Sequence, residues 1–207
     1  MAHDINDRTS VRTLTVTISL AAGLAVASCS QGGDHDDMDG MSGMGGASSS
    51  STASGPTSAA AGDVMFAQMM VPHHQQAVEM ADLALTKAES PDVKTLATKI
   101  KAAQGPEIET MNGWLQQWGA PTTAGGMDHG TDGMMTDADM SRLRDASGAQ
   151  FDRLWLTMMV AHHEGALTMA KDVLATTRDS RVRTLAQDVV DGQTREISTM
   201  KAMLSAS

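Results

Sequence analysis

Met69-Met70-Val71-Pro72-His73-His74 is a stretch that this chain repeats, and the second copy reads Met158-Met159-Val160-Ala161-His162-His163. The copies are 89 residues apart (162 − 73 = 89), and each continues into a Met-Ala pair, Met80-Ala81 in the first and Met169-Ala170 in the second. The same interval aligns 93–97 with 182–186 without a gap. This spacing indicates a duplicated unit, which we place at 63–118 for repeat one and 149–205 for repeat two.

Helix start and stop signals divide repeat one into two helices. Asp63 is a predicted N-cap for a helix that runs through Ala88. Ser90-Pro91-Asp92 has the cap, first-turn proline and acidic residue that open a second helix, and Gly119 ends it. Repeat one is therefore predicted to be a helical hairpin.

Repeat two has the same organisation, with helices predicted at about 149–176 and 180–205. Within the connecting linker, 119–148, Thr136 and Asp139 begin a short helix that ends near Ser147-Gly148. Two hairpins with short turns pack most readily as an antiparallel four-helix bundle. The predicted fold class is therefore all-α, with two duplicated hairpins and a short extra helix between them.

The N-terminal residues 1–28 are predicted to be an export signal. Arg8 and Arg12 precede an apolar run, 14–27, which is followed by Cys29 and resembles a bacterial lipobox. That resemblance implies lipidation of Cys29 and a membrane-anchored protein on the outer side of the cytoplasmic membrane or in the periplasm. An uncleaved anchor helix is the alternative. Residues 29–62 are rich in Gly and Ser, which is typical of a flexible tether.

The composition argues against nucleic acid as a partner and predicts a core that is poor in aromatic side chains and rich in methionine. A net charge of −10 without any run of Lys or Arg argues against nucleic acid. The chain has 18 Met but only 2 Phe and 3 Trp, so the core must rely on aliphatic side chains and thioethers. Thioether and imidazole groups are ligands that suit copper, Cu(I) in particular.

Polar residues interrupt the apolar stripe of the second helix of each hairpin, at Gln104 and Glu107 and again at Gln193 and Glu196. A buried carboxylate needs a hydrogen bond, an ion pair or a metal. His73 lies 17 residues before Ser90 and Glu107 lies 17 after it (90 − 73 = 107 − 90), so an antiparallel hairpin brings them to one height. His74 is expected on the flank of the inward face.

The second hairpin repeats this arithmetic with His162 and Glu196. The bundle interior is thus predicted to hold a layer of histidines, glutamates and glutamines beside methionines such as Met111 and Met200. This layer is either a metal site or a buried hydrogen-bonded network in a methionine-filled core. Adjacent histidines on a helix do not easily chelate one ion, so one of each pair is predicted as a ligand and its neighbour as its support.

Two further segments carry soft ligands outside the predicted helices. His35, Met38, Met41 and Met44 lie in the tether, and Met127, His129, Met134 and Met135 lie in the linker. A flexible chain can fold around Cu(I) without a preformed cavity. Each segment is either a secondary metal site or a low-complexity connection.

The two boxes, Met-Met-x-Pro-His-His-x-x-Ala-x-x-Met-Ala at 69–81 and its partner at 158–170, resemble the domain-of-unknown-function family 305. The resemblance implies an exported, ferritin-like four-helix bundle, and some members bind copper. It implies metal ligation by His73, His74, His162, His163, Met69, Met70, Met80, Met158, Met159 and Met169. Neither box has the Glu-x-x-His spacing of ferritin-like di-iron sites, which argues against oxygen activation.

Three functions remain open at this point. The first is a lipid-anchored protein that binds and sequesters copper or silver without catalysis. The second is an enzyme with a dinuclear iron or manganese centre, in which Glu107 and Glu196 are bridging or terminal ligands. In any metal site at the layer, Glu107 and Glu196 are predicted to join the ligands, and the residues predicted to support them are Gln104, Gln193, Met111 and Met200. The third is a metal-free interaction module. The protein partner and a homo-oligomeric state are left open by the sequence.

Overall fold

Five α-helices make up the part of the chain that the computed structural model describes, residues 60–122 and 133–206. They are α1 (Ala61–Lys87), α2 (Pro91–Trp118), α3 (Asp137–Asp145), α4 (Gly148–Thr176) and α5 (Ser180–Ala206). Across these two ranges there is no strand, and no helix has the length and apolarity needed to cross a membrane. The all-α fold is confirmed. The predicted signal, lipidation site and tether lie outside the described residues.

The helix ends follow local chemistry, with one correction. The Ser90 hydroxyl accepts a hydrogen bond from the backbone N–H of Val93, and Gly119 ends α2 with φ +65°. Thr136 and Asp139 form a reciprocal capping box at α3. Asp63 is not the N-cap of α1, because the helix begins earlier and Ala60 occupies that position without a side-chain bond.

The helices form two hairpins that meet along α1 and α4. The pair α1–α2 packs along its length, as does α4–α5, and α1 and α4 make the main contact between hairpins. Small buried residues allow this approach: Ala67, Ala77, Ala81 and Ala84 on α1, and Gly165, Ala166 and Ala170 on α4. Pro72 and Pro106 lie inside helices that continue through them.

The second hairpin holds the turn of the first. Asp152, in the first turns of α4, accepts hydrogen bonds from the backbone N–H groups of Glu89 at 3.1 Å and Ser90 at 2.8 Å. These donors would otherwise be unsatisfied at the start of α2. Nearby, the buried Trp155 donates its indole N–H to the carbonyl of Met80 at 2.9 Å. The α1–α2 turn is thereby positioned against the beginning of α4.

Replacing Asp152 by Ala removes the acceptor for two backbone donors. We expect the free energy of unfolding to fall by about 1–2 kcal/mol, because hydrogen bonds to a charged group are the stronger ones. Urea denaturation measures this difference. Asp188→Ala, at an exposed position on α5, is the control for the loss of one negative charge. If both substitutions lowered the free energy of unfolding equally, the capping role of Asp152 would be contradicted.

Candidate metal centre

Four histidines form one buried layer at the crossing of α1 and α4. The ring centroids of His73 and His162, one from each hairpin, are 3.7 Å apart with planes tilted by 38°. His74 and His163 flank this central pair, with centroids 6.5 Å from His73 and 6.4 Å from His162, respectively. All four residues are at most 1% exposed. We call this set the histidine layer.

Each glutamate pairs with the outer histidine of its own hairpin. Nε2 of His74 lies 2.8 Å from Oε2 of Glu107, and Nε2 of His163 lies 2.8 Å from Oε2 of Glu196. Counting from the turns had paired Glu107 with His73 and put His74 on a flank. Successive residues on a helix point about 100° apart, and α1 packs against both α4 and α2. His73 therefore meets α4, and the fully buried His74 meets Glu107 on α2.

The glutamates determine which nitrogen of each outer ring remains available. An ionised carboxylate only accepts hydrogen bonds, so Nε2 of His74 and of His163 carries the hydrogen and donates it. Nδ1 then keeps its lone pair. In both residues Nδ1 is buried without a hydrogen-bond partner among the described residues. A carboxylate that orients an imidazole in this way is the usual support of a metal-binding histidine.

Thioethers lie on both sides of the histidine layer. Met70 and Met111 belong to the core cluster on one side, and Met159 and Met200 belong to the cluster on the other. All four are fully buried. Met70 and Met159 precede the outer histidines of their boxes by four residues, which places them on the same helix face. Imidazole nitrogens and soft sulfur atoms are thus both part of the buried interior.

The other methionines of the two boxes divide between the core and the surface. Met80 and Met158 are buried in the same cluster as Met159 and Met200, which also includes Met140 and Leu143 of α3, whereas Met69 and Met169 line an open groove at the surface. In the linker, Met134 and Met135 are partly exposed. The remaining soft-ligand candidates fall outside the described residues: His35, Met38, Met41, Met44, Met127 and His129.

Two buried amides extend the polar interior. Neither the oxygen nor the nitrogen of the Gln104 and Gln193 side chains has a hydrogen-bond partner within 60–122 and 133–206. Over the same ranges, no group of three or more His, Cys, Asp or Glu residues is arranged to hold a metal ion. Glu107 and Glu196 each pair with a histidine of their own hairpin instead. The donors that fit an ion at the layer are therefore imidazoles together with thioethers.

The loop at 133–135, which the sequence singled out only for its methionines, lies against the layer. Gly133, with φ +79°, approaches α4 so closely that an added Cβ would be 2.6 Å from the carbonyl oxygen of Ala161 and 3.0 Å from that of His162. The Gln76 side chain fixes the same loop, since it accepts from the backbone N–H of Met135 at 2.7 Å and donates to its carbonyl at 2.8 Å. The only sequence signal for this close approach was a glycine in a glycine-rich linker.

Burial favours the neutral form of His162, one of the two central histidines. The pKa of His162 lies well below its ordinary value of 6.5, first because burial disfavours the charged ring and then because His73, His163 and His74 would repel a second positive charge. Neutral imidazole is the form that binds metals. The layer is consequently prepared for a cation without first having to lose a proton from His162 at neutral pH.

The fold and the layer define a class: an all-α bundle of two duplicated hairpins with histidines and methionines at its centre. The chain matches the family described as Domain of unknown function (DUF305) over residues 63–204 and belongs to it. The resemblance seen in the two boxes is thereby confirmed.

Solved structures of similar fold include proteins of known metal content. A DUF305 protein from Streptomyces coelicolor, whose secretion is inferred, is 33% identical over 70% of this chain and 93% of its own, with a TM-score of 0.67. CopM in its Cu(II)-bound form is 37% identical over 70% of this chain and 96% of its own, with a TM-score of 0.62. CopM has also been solved in Cu(I)-bound and Ag-bound forms. Copper and silver binding thus occurs among the structural relatives of this chain.

A shorter match joins the chain to uncharacterized protein L153 of Acanthamoeba polyphaga mimivirus. The two are 38% identical over 53 residues, which are 26% of this chain and 35% of that protein. The match therefore spans about a third of the viral protein and adds no functional information.

The stability of the metal-free protein should fall as the pH falls below neutrality. The pKa of His162 is lower in the folded than in the unfolded chain, so below about 6.5 the unfolded chain binds the extra proton. The free energy of unfolding then decreases by about 1.4 kcal/mol per pH unit for each such histidine. Urea denaturation between pH 7.5 and 5 measures the slope. His162→Gln should flatten it, and an unchanged slope in that variant would contradict the assignment.

Gly133→Ala should release the loop from α4. The new Cβ collides with backbone and the residue must keep a positive φ, which costs about 1–3 kcal/mol. The amide of Met135 should consequently exchange faster with solvent. Gly113→Ala in α2 is the matched control, because no atom lies within 4 Å of its added Cβ and helix propensity predicts a gain of about 0.5–1 kcal/mol. Unchanged exchange at Met135 in the Gly133 variant would refute the close contact.

Proposed function

We propose that this protein is an exported, lipid-anchored protein that binds and sequesters copper or silver ions through histidine and methionine side chains. The supporting observation is that the core contains imidazole nitrogens with no hydrogen-bond partner among the described residues, between two pairs of buried thioethers. Leaving such nitrogens unsatisfied in a core costs free energy. A bound cation compensates that cost.

The donor set favours soft ions. The glutamates orient the outer rings, so Nδ1 of His74 and Nδ1 of His163 are the nitrogen ligands. Met70 and Met159, four residues before these histidines on the same helices, supply buried thioethers. Thioethers favour Cu(I), and imidazoles let the site accept Cu(II). Silver(I) shares the softness and single charge of Cu(I). The central rings of His73 and His162 lie 3.7 Å apart, and burial lowers the pKa of His162 so that this ring does not carry a competing positive charge at neutral pH.

Sequestration is favoured over catalysis by burial. The four histidines are at most 1% exposed, and Glu107 and Glu196 are engaged with them rather than with each other. A bare ion can enter through small side-chain movements, whereas a larger substrate requires the helices to separate. A dinuclear iron or manganese site would need both glutamates to contact the same pair of ions. Here Glu107 pairs with His74 and Glu196 pairs with His163 instead.

Export and anchoring follow from the N-terminal sequence. The Arg-containing start, the apolar run and Cys29 support attachment to the outer face of a membrane by lipid. The inferred secretion of the Streptomyces coelicolor relative supports an extracytoplasmic location. There the protein holds copper before the ion reaches the cytoplasm.

Titration of the full chain with Cu(I) against a competing chelator tests the interior site. Met70→Leu with Met159→Leu preserves apolar volume but removes two thioethers, and we expect the affinity for the interior ion to fall at least about tenfold, or 1.4 kcal/mol. His74→Gln with His163→Gln should weaken it further, because an amide can still donate to the glutamate but offers no imidazole lone pair.

The matched control is Met140→Leu with Met203→Leu, which removes two thioethers on α3 and α5 that lie outside both histidine boxes. This control should bind as the unchanged chain does. Equal Cu(I) affinity in the control, the Met70/Met159 variant and the His74/His163 variant would eliminate the interior site. Iron or manganese in the protein as isolated would instead favour the dinuclear alternative.

A further inference from the structure

A second group of thioethers lies in a surface groove between the start of α1 and the end of α4. The groove has a volume of about 510 Å³. Three of its five largest lining side chains are methionines: Met65, Met69 and Met169. Met65 is 43% exposed, one of two exposed large hydrophobic residues in the described ranges. We call this feature the open groove.

The duplication supplies a comparison within the same molecule. Adding 89 to Met65 and Met69 gives Leu154 and Met158, and subtracting 89 from Met169 gives Met80. Those equivalent residues lie in a core cluster that α3 closes with Met140 and Leu143. Arg144 of α3 also pairs with Glu79 of α1 at 2.6 Å. One half of the molecule thus buries its groove under α3, and the other half leaves its thioethers accessible.

The sequence at the positions equivalent to α3 differs in character from α3. Subtracting 89 from α3 and its caps, 136–147, gives 47–58, which reads Ala-Ser-Ser-Ser-Ser-Thr-Ala-Ser-Gly-Pro-Thr-Ser. No methionine or leucine in that segment corresponds to Met140 or Leu143. Those positions therefore lack the large apolar side chains with which α3 covers the counterpart of the groove.

The lining of the open groove matches a cation. Asp63 is 3% exposed and lines the groove, and its Oδ1 has no hydrogen-bond partner among the described residues. Asp152, its equivalent in the other half, has both carboxylate oxygens occupied by the α1–α2 turn. Asp172 adds a second carboxylate, and none of the ten lining residues is basic. Within the described residues, a buried carboxylate with one unpartnered oxygen thus lies beside three thioethers, in a lining that holds no basic side chain.

We propose that Met65, Met69 and Met169, with the carboxylate of Asp63, form a second binding site for a soft monovalent cation such as Ag(I) or Cu(I), separate from the histidine layer. Thioether sulfur selects such ions, and the flexible methionine side chains can converge on one. Asp63 neutralises the bound charge. This site rests on the ion class of the proposed function but uses none of the residues of the interior site.

The accessible position of the open groove gives it a distinct role. Its ligands exchange ions with solvent directly, whereas the histidine layer is enclosed. The groove site should therefore load and release an ion faster than the interior site does. An ion arriving from outside meets the groove thioethers first.

Silver titration of the full chain, labelled with ¹³C at the methionine methyl groups, tests the second site. The signals of Met65, Met69 and Met169, assigned from single Leu variants, should shift together and saturate with one equivalent of Ag(I). The triple variant Met65→Leu, Met69→Leu, Met169→Leu should bind one silver ion fewer by native mass spectrometry. Asp63→Asn should weaken the same ion at least about fivefold.

Two comparisons separate this site from the interior one. The control Met140→Leu with Met203→Leu changes two thioethers outside both boxes and outside the groove, and it should keep the full number of silver ions. The His74→Gln, His163→Gln variant should keep the three groove shifts even if interior binding is lost. An unchanged number of bound silver ions in the triple methionine variant would overturn the groove site. Loss of the three methionine shifts in the His74→Gln, His163→Gln variant would also overturn it, because the groove methionines and the histidines would then belong to a single site.

Discussion

The burial of four imidazole rings at one crossing point is the constraint on which the rest of this structure depends. Burying a polar ring in an apolar core costs free energy, and a partner for each ring nitrogen reduces that cost. Glu107 and Glu196 provide a partner for one nitrogen of each outer ring, and this requires both helices of each hairpin to keep their register. The stacked inner rings require the two hairpins to cross at His73 and His162. The small residues of α1 and α4 bring the backbones close enough for that contact.

The two hairpins carry matching residues 89 positions apart, but the surroundings of those residues differ. In one half α3 covers the groove, Asp152 caps the turn of the opposite hairpin, and the methionines are sealed in the core. In the other half the groove is open and the equivalent Asp63 has an unpartnered oxygen. Pro72 occurs in one box and Ala161 in the other, so the backbone donors beside the two histidine pairs also differ. The histidine layer itself stays symmetric because both hairpins contribute to it equally.

Helix lengths and the depth of the polar residues could be predicted well from the sequence. The predicted second helix of repeat one begins and ends where α2 does, and counting from Ser90 correctly put Glu107 at the level of the histidines. The same counting could not tell His73 from His74, because residue number gives height along a helix but not which neighbour a side chain meets. The N-cap predicted at Asp63 was wrong for a related reason. A local capping preference competes with tertiary packing, and Asp63 is buried next to α4 while the helix begins earlier, after Ala60.

The sequence by itself determined the duplication, the all-α hairpins and the chemical character of the centre, since these depend on spacing and residue type along one chain. Only the tertiary structure decided which histidine meets which glutamate, where the Gly133 loop lies, and which methionines are interior. Those features depend on how two hairpins pack, and contacts between residues such as His73 and His162 have no local signal. The separation of Met70 and Met159 from Met69 and Met169 follows from that packing, because adjacent residues on a helix face different neighbours once a second hairpin covers one side.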